Sequence, residues 1–260
     1  LAQISLLTKS WIEEGLFVSS DFWMFVVIGF FAQVVDGALG MAFGLLSTTS
    51  LLAVGVPPAT ASAMTHIAEI FTTAASGASH TYHRNIDWRL VARLAPAGMI
   101  GGALGAYGVS NVDGEMIEPF VSAYLALVGI YILFKAFRPF WLREVRDWAV
   151  PFIGLGGGAL DAAGGGGWGP IVTTSLIGRG HEPKKVIGST SLTEFLVTLT
   201  ISATFVLTLG WSDLGSAVGL ILGGVLAAPV GALLVKRLPV RPLMVAVSLV
   251  IIVTSAIRIF

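Results

Sequence analysis

Four acidic residues, Asp36, Glu69, Asp161 and Glu194, lie within apolar stretches of the chain, and no basic residue sits at a comparable depth to neutralise them. An ionisable group inside a bilayer costs several kcal/mol and marks a substrate path, a proton relay or a water-filled cavity. The four form two related pairs: a shift of 125 residues, without a gap, brings Asp36 onto Asp161 and Glu69 onto Glu194. The chemistry open to such a set is proton coupling and the binding of a small polar ligand. Asp36 and Asp161 also suit a plainer role, accepting backbone N–H bonds at the start of a returning helix, and the two roles are compatible. Glu69 and Glu194 have no helix end to cap.

Around Glu69, the residues Ser62, Thr65, His66, Thr73 and Ser76 recur at three- and four-residue spacing and form one polar stripe. Thr190, Ser191, Thr198 and Ser202 surround Glu194 in the same way. Such stripes either bond neighbouring membrane helices or, when related by a two-fold axis, face each other across a ligand. The candidate contacts are Thr65, His66, Ser189, Thr190 and Ser191. His66 is read as the one histidine at depth, either a helix contact or a substrate or proton contact, and Ser191 stands in its place in the second half.

The run from Gly154 to Pro170 contains Asp161 and the tetrad Gly164, Gly165, Gly166 and Gly167, followed by Trp168. Glycine permits unwound backbone, which survives at membrane depth only when buried in protein or lining a cavity. The freed N–H groups at the start of the returning arm, with its helix dipole, would make an anion site that needs no arginine. Gly40 and Thr48 hold matching places in the first half, and Thr173 in the second. The plainer reading is close helix packing, since Gly40 and Gly44, like Gly165 and Gly169, share a face. A phosphate loop is excluded because no Lys-Ser or Lys-Thr follows the glycines.

The elements that must position these residues belong to a membrane protein. Of 260 residues, 55% are hydrophobic and 12% charged, about half the charged fraction of a soluble domain, and mean hydropathy is +0.87. The net charge of zero gives no sign of a nucleic-acid surface, and the absence of cysteine removes thiolate metal sites and disulfides. No metal or other cofactor is expected. Apolar runs bounded by charge and turn residues include several long enough to span. Two shorter ones, Phe22 to Val35 and Val150 to Leu160, are each followed at once by an Asp and glycines, and read as the first arms of broken hairpins. About a third of positions 36–69 recur 125 residues later, including Thr48, Thr49 and Ser50 on Thr173, Thr174 and Ser175, and Pro58 on Pro183. The expected fold is therefore all-α, with an interfacial segment at 1–20 and two repeats, 21–147 and 148–260, in a single membrane domain. Each repeat holds a broken hairpin and three spans, so the second lies inverted relative to the first. With residues 1–21 outside, the inner connections carry 13 of the 15 basic residues, all but Lys9 and Arg258, which satisfies the positive-inside rule. Both termini then lie outside.

On these residues the chain resembles the sulfite exporter TauE/SafE family, also called the 4-toluene sulfonate uptake permeases. The resemblance rests on the two breaks, the prolines Pro58 and Pro183, the segments Asn85 to Arg89 and Gly210 to Asp213, and the run Gly188 to Phe195. The first break, Gly37 to Gly44, departs from the family pattern in having fewer glycines and no following proline, which implies a less open backbone. The family implies movement of sulfite, sulfonates or other small sulfur-containing organic anions across the bacterial inner membrane. Four ionised carboxylates would repel such an anion, so some must be protonated or remote when it binds. Glu69 and Glu194, with Asp36 and Asp161, are candidate proton carriers, because a carboxyl kept from water favours its neutral form. The expected partners are the anion, protons and the lipid bilayer, and a homodimer is one assembly open to the chain. A channel or a cation transporter could use the same acids. An intramembrane enzyme is disfavoured, since neither Gly-x-Ser-x-Gly nor His-Glu-x-x-His occurs.

Overall fold

The computed structural model describes residues 20–137, 146–177, 183–210, 217–234 and 239–259, and every regular element among them is helical. Helices α1 (Ser20–Leu39) and α2 (Phe43–Ala53) form the first broken hairpin, and α3 (Pro58–Tyr82), α4 (Trp88–Ser110) and α5 (Gly114–Phe137) follow it. After a 3-10 turn at Asp147–Ala149 the order returns. Helix α6 (Val150–Gly164) leads to a π-helical stretch, Trp168–Thr173, that runs into the single turn α7 (Thr174–Leu176). Helices α8 (Pro183–Leu209), α9 (Ala217–Leu234) and α10 (Val240–Ile259) complete the chain. By length and composition α4, α5, α8 and α10 can cross a membrane. The interfacial helix expected at 1–20 lies, but for Ser20, outside the described residues, as do the basic residues Lys9, Arg138, Arg143, Arg179, Lys236 and Arg237.

Local chemistry explains the starts. Pro58 stands at the first positions of α3, where a missing N–H costs nothing. Asp87 caps α4, its Oδ1 accepting from the N–H of Arg89 at 2.9 Å and of Leu90 at 3.3 Å.

The breaks fall later than the apolar runs suggest. Helix α1 continues through Asp36 to Leu39, and α6 through Asp161 to Gly164. The aspartates need not end their own helices, because each reaches forward over the turn. Asp36 Oδ1 accepts from the N–H of Ala42 at 2.7 Å and of Phe43 at 3.2 Å, and Asp161 Oδ1 accepts from the N–H of Trp168 at 2.9 Å. Phe43 and Trp168 are themselves 125 residues apart. The first turn needs one left-handed residue, Gly40 at φ +68°, whereas the second uses Gly165, Gly166 and Gly167 at +65°, +155° and +148°. The first break is thus the less open, as its composition implies. A Gly40 side chain would meet nothing within 4 Å. Gly40→Ala is therefore expected to destabilise by about 1–2 kcal/mol through its φ alone, and Gly40→Asn by less. Thermal unfolding in detergent checks both.

Gly154, Gly156, Gly157 and Gly158, which open the glycine-rich run, are helical and not part of the unwound turn. They lie inside α6, and at two of them α4 comes so close that nothing larger fits: a methyl on Gly154 would stand 2.8 Å from the Leu94 carbonyl oxygen, and one on Gly158 2.2 Å from that of Gly98. Helix α1 runs along α9 with an equivalent approach of Gly29 to Leu220. Helix α3 packs against α8 and α5 against α10, while α4 lies along α8 more extensively than α9 along α3. At one end of α10 Arg241 Nε donates to the Ala136 carbonyl at 3.1 Å, and at the other Arg258 pairs with Glu118 at 2.5 Å. The returning arm α2, 11 residues or about 16 Å long, covers half of a hydrocarbon core of about 30 Å.

Candidate functional site

Asp36 from α1, Glu69 from the middle of α3, Asp161 from α6 and Glu194 from α8 all line one cavity of 320 Å³. None of its described lining residues is Lys or Arg. The two breaks meet at its floor. A methyl added to Gly44 would stand 2.8 Å from Glu69 Oε1 and 2.9 Å from the Gly166 Cα, so glycine is what admits both the carboxyl and the opposite turn. From the acids the cavity follows α3 past Thr73 and Ser76 to His80, with Ile187 and Ser191 of α8 on the facing wall. It ends beside Asn85, whose Nδ2 is 3.3 Å from His80 Nδ1, at the end of α3 that carries the basic segment 83–93.

The second turn is held by hydroxyls from three helices. Ser62 donates to the Ala162 carbonyl at 2.6 Å, Thr48 to that of Gly165 at 2.7 Å and Tyr124 to that of Gly166 at 3.0 Å. Thr65 Oγ1 lies 3.0 Å from Thr48 Oγ1, and the Trp168 indole N–H donates to the Thr190 carbonyl at 3.2 Å. The N–H groups of Gly165 and Gly166 go to the Asp161 carbonyl, and that of Trp168 to its carboxylate.

His66 is fully buried beside this turn, its Nδ1 2.8 Å from the Ser62 carbonyl and its Nε2 3.3 Å from Asp161 Oδ2. A carbonyl only accepts, so the network assigns a proton to Nδ1. One further proton must then lie between Nε2 and Oδ2, on the ring or on the acid, because two bare acceptors would face each other otherwise.

Of the residues singled out by sequence, the four acids, Gly40, Gly166, Gly167 and Ser191 line the cavity. Gly164, Gly165, Trp168, Thr48, Thr65, His66 and Thr190 lie in or around the second turn, behind the cavity wall. The Thr173 carbonyl accepts from Ile177 at 3.0 Å on the returning arm. Ser189 lies at the end of α8, accepting from the Asp87 N–H at 2.7 Å. Among the polar lining residues, Gln33, Thr72 and His80 were not singled out. The signal was available for two of them: Gln33 precedes Asp36 by one helical turn, and His80 continues the 69, 73, 76 stripe by one more.

A multi-helix membrane bundle with ionisable groups gathered round an internal cavity defines a membrane transporter, and the comparisons agree. The family model described as sulfite exporter TauE/SafE matches residues 25–258. The chain is 41% identical over 224 residues to the "Probable membrane transporter protein YtnM" of Bacillus subtilis (strain 168), across 82% of this chain and 74% of that one. No solved structure matches the chain. The chain belongs to the TauE/SafE sulfite exporter family, which places it among transporters rather than enzymes.

Proposed function

We propose that the chain is a secondary transporter of sulfite, sulfonates or related small sulfur-containing anions across the bacterial inner membrane, proton-coupled and working by alternating access. The observation that carries this reading is the convergence of four carboxyl groups, from both halves of the chain, on one cavity with no Lys or Arg among its described lining residues. An anion about 6 Å from an ionised carboxylate is repelled by about 3 kcal/mol at an effective dielectric of about 20, so it loads only with protons. Support for two inverted repeats, with termini on the periplasmic side, comes from the exchange of partners between halves. Helix α1 packs on α9 as α6 packs on α4, and the aspartate caps repeat at a spacing of 125 residues.

Glu194→Gln is the test. Reconstituted protein carrying it is expected to keep sulfonate exchange while uptake driven by a pH gradient falls about tenfold or more, equivalent to about 1.4 kcal/mol of coupling. Unchanged proton-driven uptake would sink the coupling role. The same acid-lined cavity favours a second reading, a cation carrier, and sodium-driven counterflow with no response to isethionate would establish it.

A further inference from the structure

The cavity occupies one route and leaves its repeat mate shut. On α3 it is lined by Thr72, Thr73, Ser76 and His80, and on α8 by Ile187 and Ser191. The 125-residue shift carries the first four onto Val197, Thr198, Ile201 and Phe205 of α8, and carries the last two back onto Ser62 and His66 of α3. Every one of these mates is 0% exposed. Where His80 and Ser191 face the cavity, Phe205 and His66 face each other, ring centroids 6.4 Å apart. Helix α4 closes over them: methyls on Gly98 and Gly102 would stand 2.8 Å from Val197 Cγ2 and 2.7 Å from Ile201 Cγ1.

The hydroxyls of this shut strip carry a second signal. On α8, Thr200, Thr204 and Thr208 each donate to the carbonyl four residues back at 2.9 Å, as helical threonines ordinarily do. Thr198 Oγ1 and Ser202 Oγ, on the buried face, have no hydrogen-bond partner among the described residues. A buried, unpaired hydroxyl costs about 1–3 kcal/mol, so polar residues here are ill-suited to a contact that stays dry.

We propose that Val197, Thr198, Ile201 and Phe205, with Ser62 and His66, line a second route, closed in this structure, that opens to the opposite membrane face when the present cavity shuts, and that the Phe205 and His66 rings are its gate. The proposal rests on the inverted-repeat reading above. Water entering the opened route would satisfy the Thr198 and Ser202 hydroxyls.

The chain has no cysteine, so single cysteines can be probed against a silent background. Ser76→Cys, Thr198→Cys, Phe205→Cys and the buried control Leu94→Cys are labelled with a membrane-impermeant maleimide in right-side-out and inside-out vesicles. Ser76→Cys is expected to react from the face that carries segment 83–93. Thr198→Cys and Phe205→Cys should react from the other face, about 10- to 100-fold more slowly, as a state populated at about 1–10% requires, yet faster than Leu94→Cys. Thr198→Cys changes the side-chain volume little and keeps the test open if Phe205→Cys does not fold. Labelling of both α8 cysteines from the same face as Ser76→Cys, or at no more than the Leu94→Cys rate, overturns the proposal. Isethionate counterflow, measured separately on the cysteine-free protein, reports on the cargo reading alone, so sidedness without flux sinks the cargo and leaves the two routes standing.

Discussion

Gly158→Val is expected to lose the folded protein, whereas Gly156→Ala, two residues away on the same helix, should stabilise it. The difference lies in what each position faces. A methyl on Gly158 would stand 2.2 Å from the Gly98 carbonyl oxygen and 2.9 Å from the Gly102 nitrogen, and both neighbours are backbone that cannot rotate aside. On the facing helix, a methyl on Gly101 would stand 1.9 Å from the Leu155 carbonyl oxygen and one on Gly105 2.4 Å from that of Ala159, so α4 and α6 touch backbone to backbone over several turns. In lipid no hydrophobic drive holds helices together, and such close approach is the main source of their adhesion. Forcing them apart should cost about 3 kcal/mol or more. Gly156 faces open space, and alanine there gains about 0.5–1 kcal/mol of helix propensity. Thermal unfolding of the detergent-purified variants checks the pair, and similar losses in both would show that α4 and α6 do not meet in this way.

Asp161 should separate structure from transport by the choice of replacement. In Asp161→Ala the Trp168 N–H loses its acceptor and His66 Nε2 its partner, both fully buried, and a loss of about 2–5 kcal/mol is expected. Asp161→Asn can satisfy the same geometry. Its amide oxygen accepts from Trp168 and its NH2 donates to an unprotonated His66 Nε2, while Nδ1 keeps its bond to Ser62. Stability should stay within about 1 kcal/mol of the parent. The amide neither releases nor takes up a proton at this position, so uptake driven by a pH gradient should fall about tenfold or more. Equal destabilisation of the two variants would disprove the hydrogen-bond assignment, and intact proton-driven uptake in Asp161→Asn would remove the pair from the coupling path.

Much of this site is legible in the sequence because its rarest residues mark it. Four acids in an apolar chain, with no Lys or Arg at their depth, are costly enough to identify themselves, and their spacing of 125 residues announces the repeat. The capping role of Asp36 and Asp161 is likewise readable from residue type and the glycines that follow. What could not be read is how far each arm winds before it breaks. Glycine composition looks the same whether the backbone unwinds, as at Gly165 to Gly167, or a neighbour presses close, as at Gly154 and Gly158. Only the partner helix, with Gly98 and Gly101 on α4, tells these apart. Sequence also treats Ser191 and His66 as equivalent positions, and cannot say that one borders open space while the other is sealed against Phe205. That difference belongs to one conformation, which a symmetric pattern does not specify.

The two arginines that pin α10 to α5 bear on the lipid as well as on the fold. Arg241 and Arg258 stand 17 positions apart, about 26 Å along a helix, and each is tied to a fixed partner, the Ala136 carbonyl or Glu118. A charge so tethered cannot snorkel freely to follow a thicker bilayer. The helix pair therefore favours a hydrocarbon slab slightly thinner than the usual value of about 30 Å, and in longer-chain lipids it must tilt or thin its surroundings, at a fraction of a kcal/mol per Å. Acyl-chain length is thus a variable to which the activity of this transporter should respond, with its optimum on the thin side.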